Sequence, residues 1–216
     1  MGVKVGTGAI LAIASTYGTT VAMSAITNAT EAVATLAASH GVVVGDYLEI
    51  TSGWGDLNGK IVRAKIVSTN DVTLETINTT STTNYPTGTG TGSIRRITAW
   101  TNLSQIKSLE MSGGDLNTTD ISGLSDKNDI SIPTSRSAVQ LKVTVFEDPT
   151  LTWYATVQSA DTGRVPVGFR MTDTLGIKTL ANAYWAIAQV PVYSRNEAVT
   201  RSIDLTFSAA PVIYTT

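Results

Sequence analysis

Residues 137–173 read SAVQLKVTVFEDPTLTWYATVQSADTGRVPVGFRMTD, and the punctuation of this stretch decides the fold class. Val139, Leu141, Val143 and Val145 alternate with Gln140, Lys142 and Thr144, the period of two of a half-buried strand. Asp148 is placed to accept the first free N–H groups of a helix, and Pro149 suits the first helical position, where no N–H is needed. Leu151, Trp153, Tyr154 and Val157 then form an apolar stripe at helical spacing. Gly163 suits the left-handed residue that ends such a helix. Alternation resumes with Val165, Val167, Phe169 and Met171 against Arg170 and Thr172. The expectation is strand, one short helix, strand, with Trp153, Tyr154 and Val157 seating the helix on a sheet face.

Composition agrees with a β-rich chain. The 216 residues are 42% hydrophobic and 15% charged, enough for a core in one domain or two small ones. Abundant Ser, Thr and Gly with few aromatics fits many turns and does not fit disorder. A net charge of −2 advertises no basic surface for nucleic acid. The absence of cysteine excludes a disulfide framework and thiolate chemistry, and suits assembly in a reducing cytoplasm. The apolar stretch 10–14 is too short for a signal core, and no run approaches a membrane span. The expectation is a soluble protein, made and used without export.

Residues 1–25 are small, apolar and glycine-rich, with Lys4 the only charge. Such a segment adds to a sheet or lies against a neighbouring subunit, unless it is an ordinary first strand. Residues 29–41, ATEAVATLAASHG, alternate at Ala32, Ala34 and Leu36 and read as a strand, although the alanines would permit a helix. Four β runs follow at 42–53, 57–70, 71–77 and 88–98. Gly45-Asp46, Asn58-Gly59 and Asn70-Asp71 are turn pairs whose residues tolerate positive φ. Residues 79–92, TTSTTNYPTGTGTG, read as a mobile low-complexity loop. Closely spaced strands with no helix between them point to a small barrel or sandwich over residues 26–98.

Residues 100–135 hold five acids, Glu110, Asp115, Asp120, Asp126 and Asp129, against Lys107 and Lys127. The negative excess of the chain is concentrated there. Gly113-Gly114, Gly123 and Asn128-Asp129 make the stretch a long excursion between strands, either a plain solvated loop or one with a task. Residues 181–194 are apolar on both faces, which fits a strand sandwiched centrally or covered by another subunit. Pro191 argues against an uninterrupted ladder at that point. Ile203, Leu205 and Phe207 alternate with Ser202, Asp204 and Thr206 in the last strand.

No catalytic chemistry is legible. His40, the single histidine, sits in a turn without an acid or nucleophile at a recognisable spacing. One histidine and no cysteine nearly exclude a transition-metal cluster. Residues 126–129, DKND, lack the ligand order of a calcium loop. GTGTG at 88–92 and GTGAI at 6–10 are not followed by Lys-Ser/Thr and do not open a helix, so neither is a phosphate loop. No enzyme, cofactor or metal is expected.

Two resemblances organise these elements. Residues 25–77 resemble a small β-barrel module recurrent in phage tail proteins, with His40-Gly41, Gly45-Asp46 and Leu57-Asn58-Gly59 standing where that pattern has its turns. Residues 100–216 resemble the tail tube proteins of long-tailed, siphovirus-type bacteriophages. The features carrying this are a strand near 106–112 ending in SGG, DISGL at 120–124, and the strand at 139–146 running into Glu147-Asp148-Pro149 and a helix. VPVGFRM at 165–171 and SRNEAVTRSIDLTFS at 194–208 complete the order.

The resemblance implies a mainly β fold: a tail-tube-type β-sandwich with one short flanking helix, formed by residues 1–25 and 99–216. A small all-β barrel, residues 26–98, would be inserted near its N-terminus. It further implies stacked hexameric rings around a lumen for DNA, in a virion tail assembled in the host bacterial cytoplasm. Implied partners are further copies of the chain, the tape measure, terminator and distal tail proteins, and phage DNA in transit, with no membrane. The tube of a contractile tail is a close variant. A lumen should not hold phosphate, since each Lys or Arg contact would retard the DNA. Asp115, Asp120, Asp126 and Asp129 are therefore candidates to line the lumen or to contact the next ring. Lys142 and Arg170 are candidate lumen-facing bases, in need of acids to offset them. A capsid decoration protein or adhesin subunit is the rival reading.

Overall fold

The computed structural model describes residues 8–125 and 127–215, so expectations for residues 1–7 and for Asp126 lie outside the described residues. The first six strands are β1 (Ile10–Tyr17), β2 (Val21–Ile26), β3 (Val33–Leu36), β4 (Tyr47–Ser52), β5 (Ile61–Ser68) and β6 (Asp71–Leu74). A long strand, β7 (Gly92–Leu103), leads to β8 (Ile106–Ser112), β9 (Leu116–Asp120), β10 (Ser131–Arg136) and β11 (Gln140–Phe146). The helix α1 (Thr152–Gly163) precedes β12 (Val167–Thr172), β13 (Lys178–Ile187), β14 (Thr200–Phe207) and β15 (Val212–Tyr214).

One antiparallel sheet runs in the order β2-β3-β6-β5-β4-β7-β1-β12-β13-β14-β11-β8, with β15 beside β13. Because β2 also pairs with β7, the first six strands of that path close on themselves as a small barrel. Closure removes the edges that these six strands would otherwise expose. β7 belongs to both halves: Ser93–Ile97 face β4, while Ile97–Leu103 face β1. The N-terminal segment, where described, is a first strand: β1 is central, and Leu11, Ala12, Ile13 and Ala14 are buried.

Two apolar clusters result. One fills the barrel around Trp54, Leu48, Ile50, Ile61 and Leu74, and includes Leu180, Val212 and Tyr214 from the C-terminal strands. The other gathers Leu11, Ile13, Val143, Val145, Phe169, Trp185 and Ile203 under Trp153 and Val157 of α1. The helix lies chiefly on β13 and also reaches β7 and β1. Its partners thus differ from the expected pair of flanking strands, because β13 is the central strand of that half.

Local departures from the sequence expectations have simple causes. The helix starts at Thr152 with Leu151 as N-cap, and no side chain caps it. Asp148 instead accepts the N–H (3.1 Å) and hydroxyl (2.6 Å) of Thr150, closing its own turn before the helix begins. Those bonds hold the Asp148 carboxyl below the usual aspartate range. Arg164, not Gly163, takes the left-handed position, at φ 50°. Val165 is exposed, since β12 begins only at Val167. In the turn at Asn70-Asp71 the positive φ falls on Thr69 (49°), a β-branched residue that pays for it with strain.

The glycine-rich loop at 79–92 is pinned. Trp54 Nε1 donates to Pro86 O (2.8 Å) and to Thr89 Oγ1 (3.1 Å), and Tyr85 stands edge-on to the Trp54 ring, centroids 5.2 Å apart. A Cβ on Gly90 would lie 2.6 Å from that ring, so the GTGTG run serves close packing on a tryptophan.

Candidate functional site

The sheet around the second cluster has an outer face, and it divides into two zones. Along β1, β12 and the first half of β13 the barrel covers it. Ala12, Arg170 and Leu180 lie in register across those strands. Arg170 is consequently not on a wet surface. Its guanidinium sits 4.8 Å from the Trp100 ring centroid, and Trp100 meets Tyr47 edge-on at 5.9 Å. Burial disfavours its charge and holds its pKa below the usual arginine value, with the nearby Tyr47 acting in the opposite direction. The expected lumen-facing placement of Arg170 is corrected accordingly: the alternation was right, but the barrel occupies that face.

Polar bonds knit this covered zone. Tyr17 accepts the Gly168 N–H at 2.8 Å and stacks under Arg95, whose guanidinium is 3.9 Å from the ring. Arg95 reaches Glu49 at 2.5 Å, and Asn182 donates to the other Glu49 oxygen at 2.8 Å. On the far side Tyr214 accepts the Arg63 N–H at 2.8 Å, while Arg63 is paired with Glu75. Burial pushes both the Tyr17 and the Tyr214 phenol up to about 12. The unfolded chain ionises these phenols near pH 10, before the folded one does. Their stabilisation is therefore complete below pH 10 and lost as pH rises towards 12. Urea midpoints are expected to fall across that window, each tyrosine contributing roughly 3 kcal/mol at most, and Tyr17→Phe should flatten part of the decline.

Along β14, β11 and β8 the outer face is open. Register places Glu110, Lys142 and Asp204 side by side, all exposed. Ser108, Thr144 and Ser202 form the next row, and Ser112, Gln140 and Thr206 the row beyond. Lys142 thus stands between two carboxylates on adjacent strands, at the spacing where opposite charges attract. The acids that flank it are Glu110, from the acidic stretch 100–135, and Asp204 from β14. Sequence alternation marked Asp204 as outward-facing, but only the register shows that it adjoins Lys142.

β8 ends the sheet path, so among the described residues its outer edge pairs with no strand. Its apolar side chains are also incompletely covered, Leu109 being 36% and Met111 75% exposed. Beyond it, the acidic excursion folds as a hairpin arm of β9 and β10 that pair only with each other. Every described residue of both strands is exposed. Asp115 lies at its root, bonded through its backbone to Ser137. Asp120 closes the turn after β9 through the N–H (2.8 Å) and hydroxyl (2.5 Å) of Ser122, which hold its carboxyl below the usual range. Asp129 lies in the connecting loop, and Asp126 falls outside the described residues. Ile121, Ile130 and Ile132 are about half exposed on this arm. A two-stranded ribbon with bare apolar residues is marginal alone and gains from a partner surface.

The helix α1 faces the sheet with aromatic and aliphatic side chains. Trp153 and Val157 are buried and Tyr154 is half-buried. Beside it lies a latch that sequence reading missed. Arg201 makes two 2.7 Å bonds to Glu147, donates to Ala188 O at 2.7 Å, and lies 5.5 Å from the Tyr154 ring centroid. Among the described residues no three His, Cys, Asp or Glu side chains are grouped to hold a metal ion. No described helix is long and apolar enough to cross a membrane.

No curated protein matches the chain. Among solved structures, it is similar to a chain in the tail of an empty GTA particle refined with C6 helical symmetry, at 12% identity and TM-score 0.41, over 53% of this chain and 86% of that one. It is also similar to a chain of the six-fold anti-feeding prophage baseplate, at 8% identity and TM-score 0.39, over 55% and 85%. A chain of the tube-terminating cap of that prophage aligns at 17% identity and TM-score 0.35, over 50% and 79%. Residues 52–216 match the family model described as phage tail tube protein, TTP. That span is most of the chain, which therefore belongs to the phage tail tube protein family and has a structural role in the tail tube.

Proposed function

We propose that copies of this chain close into rings, six to a ring as the resemblance implies, and that stacked rings form the conduit for genome ejection. The observation that carries this is the open face of β8, β11 and β14. It is polar in three successive rows, and Lys142 lies between Glu110 and Asp204. Such a surface is wettable and carries a net negative charge, so it repels the phosphate backbone and leaves DNA mobile. The free edge of β8 offers backbone groups to a neighbouring copy in the ring, and the arm offers apolar and acidic groups to the next ring. Asp115, Asp120, Asp126 and Asp129 are accordingly assigned to stacking, and Glu110, Lys142 and Asp204 to the channel.

In this reading residues 26–98 are an inserted module outside the tube, since a barrel inside would obstruct a DNA-sized channel. Tape measure, terminator and distal tail proteins are the further partners, assembly takes place in the host bacterial cytoplasm, and no catalysis is involved. Negative-stain microscopy of the purified chain tests the proposal: rings or filaments with a hole about as wide as a DNA duplex are expected, and only compact globules at high concentration would refute it. Within assembled tails, the double substitution Glu110→Lys and Asp204→Lys is expected to leave tubes intact but slow DNA release several-fold, with the slowing relieved by added salt. Unchanged release would remove these residues from the channel.

A further inference from the structure

The root of the arm borders a groove that the tube reading does not use. Its first part, about 460 Å³, is lined by Gly114, Arg136, Val139, Phe207 and Pro211. A second part, about 290 Å³, runs on to the barrel and is lined by Asp56, Lys60 and Tyr85. Ser208, Ala209 and Ala210 form the shared floor. The floor is small and largely apolar, and two bases against one acid line its walls. Lys60 is half-buried beside Asp56, and burial disfavours its charge, so a carboxylate entering between Lys60 and Arg136 would offset both.

The other end of the same arm has the complementary character. Its turn and loop carry exposed Ile121 and Ile130, with Asp120 and Asp129 beside them. The sequence of that loop, with Asp126 and Lys127, is net negative. The paired strands alone span about 17 Å at 3.4 Å per residue, so tip and root are separate surfaces at opposite ends of one element. Two complementary surfaces so placed bring copies together head-to-tail, and a head-to-tail contact that does not close gives an open repeat.

Resting on the tube reading, we infer that the arm tip of one copy seats in the root groove of the next copy along the tube, its isoleucines over Ala209 and Ala210 and its aspartates towards Lys60 and Arg136. The occupant is thus a second copy of this chain.

The chain has no cysteine, which makes the test clean. Chains carrying both Ala209→Cys and Ile130→Cys are assembled and oxidised, then separated without reductant. The expected result is a ladder of dimers, trimers and longer species, because each copy has one tip and one groove. Either substitution alone should give no ladder. A second pair, Ala210→Cys with Ile121→Cys, repeats the test should the first fail to assemble. Tubes that form without a ladder from either pair overturn the docking while leaving the tube reading intact. Dimers only, or a disulfide within one chain, overturn it too. If the unsubstituted chain forms no tubes, the tube reading fails and the docking fails with it.

Discussion

Arg201→Ala is expected to destabilise the fold by about 3–5 kcal/mol, the range for breaking a buried ion pair by removing one partner. The Arg201 and Glu147 side chains are only 10% and 14% exposed, so water cannot readily replace the lost partner. Removing the guanidinium leaves the Glu147 carboxylate facing a space that was filled by two charge-assisted bonds. It also frees Ala188 O and Gln189 O, which Arg201 binds at 2.7 and 3.3 Å. These bonds tie the β13–β14 connection to the junction between β11 and α1, so local damage spreads to the helix seat. A domain is stabilised by roughly 5–15 kcal/mol in all; the loss should therefore appear as a much lower urea midpoint. Arg201→Lys should recover only part, because an ammonium cannot make the forked pair. A double cycle with Glu147→Gln checks the assignment, and additive losses would show that the two side chains are not coupled.

That latch illustrates what the sequence hides. Glu147 and Arg201 lie 54 positions apart, and nothing in either local pattern joins them. Strand alternation was legible wherever one face meets an apolar core, as in β11 and β14, because the period of two is imposed by burial itself. Turns at Gly45 and Asn58-Gly59 were legible for a steric reason, and the positive φ of Gly45 (90°) and Gly59 (77°) follows it. Arg170 was misjudged because its strand alternates just as β11 does. Periodicity reports that a residue points away from one core and is silent on whether a second body covers it. The apolar second face at residues 181–194 has no such cover among the described residues: Tyr184 is exposed on the strand, and Val190, Val192 and Tyr193 lie beyond its end and are exposed too. The arm escaped notice because its strands bury nothing within the monomer, so no alternation was imposed on Leu116–Asp120. The tryptophan-pinned loop escaped because glycine repeats look the same whether they give mobility or close approach.

Met111→Pro is expected to abolish assembly while leaving the monomer folded. The reason lies in which backbone groups of β8 face outward. Phe146 N–H donates to Gln105 O at 3.0 Å, so the even-numbered residues of β11 turn their backbone groups towards β8. Register carries the pattern across: Gln140, Lys142 and Thr144 face Ser112, Glu110 and Ser108, leaving odd positions of β8 to direct their N–H groups to the open edge. Met111 is such a position, and at 75% exposure it contributes little to the monomer core. Proline there removes an outward donor without touching the β11 ladder, the one setting in which a strand tolerates it. If rings close by strand addition at this edge, the loss of a donor and the bulk of the ring at each of the identical junctions act on every contact at once. Sedimentation and negative-stain images should show monomers at concentrations where the parent chain forms tubes, with an unchanged thermal midpoint. Ser112→Pro is the control, since its N–H points inward and its replacement should lower the midpoint instead. Tubes from Met111→Pro would mean that rings close through side chains alone, and the free edge of β8 would then lose its role in assembly.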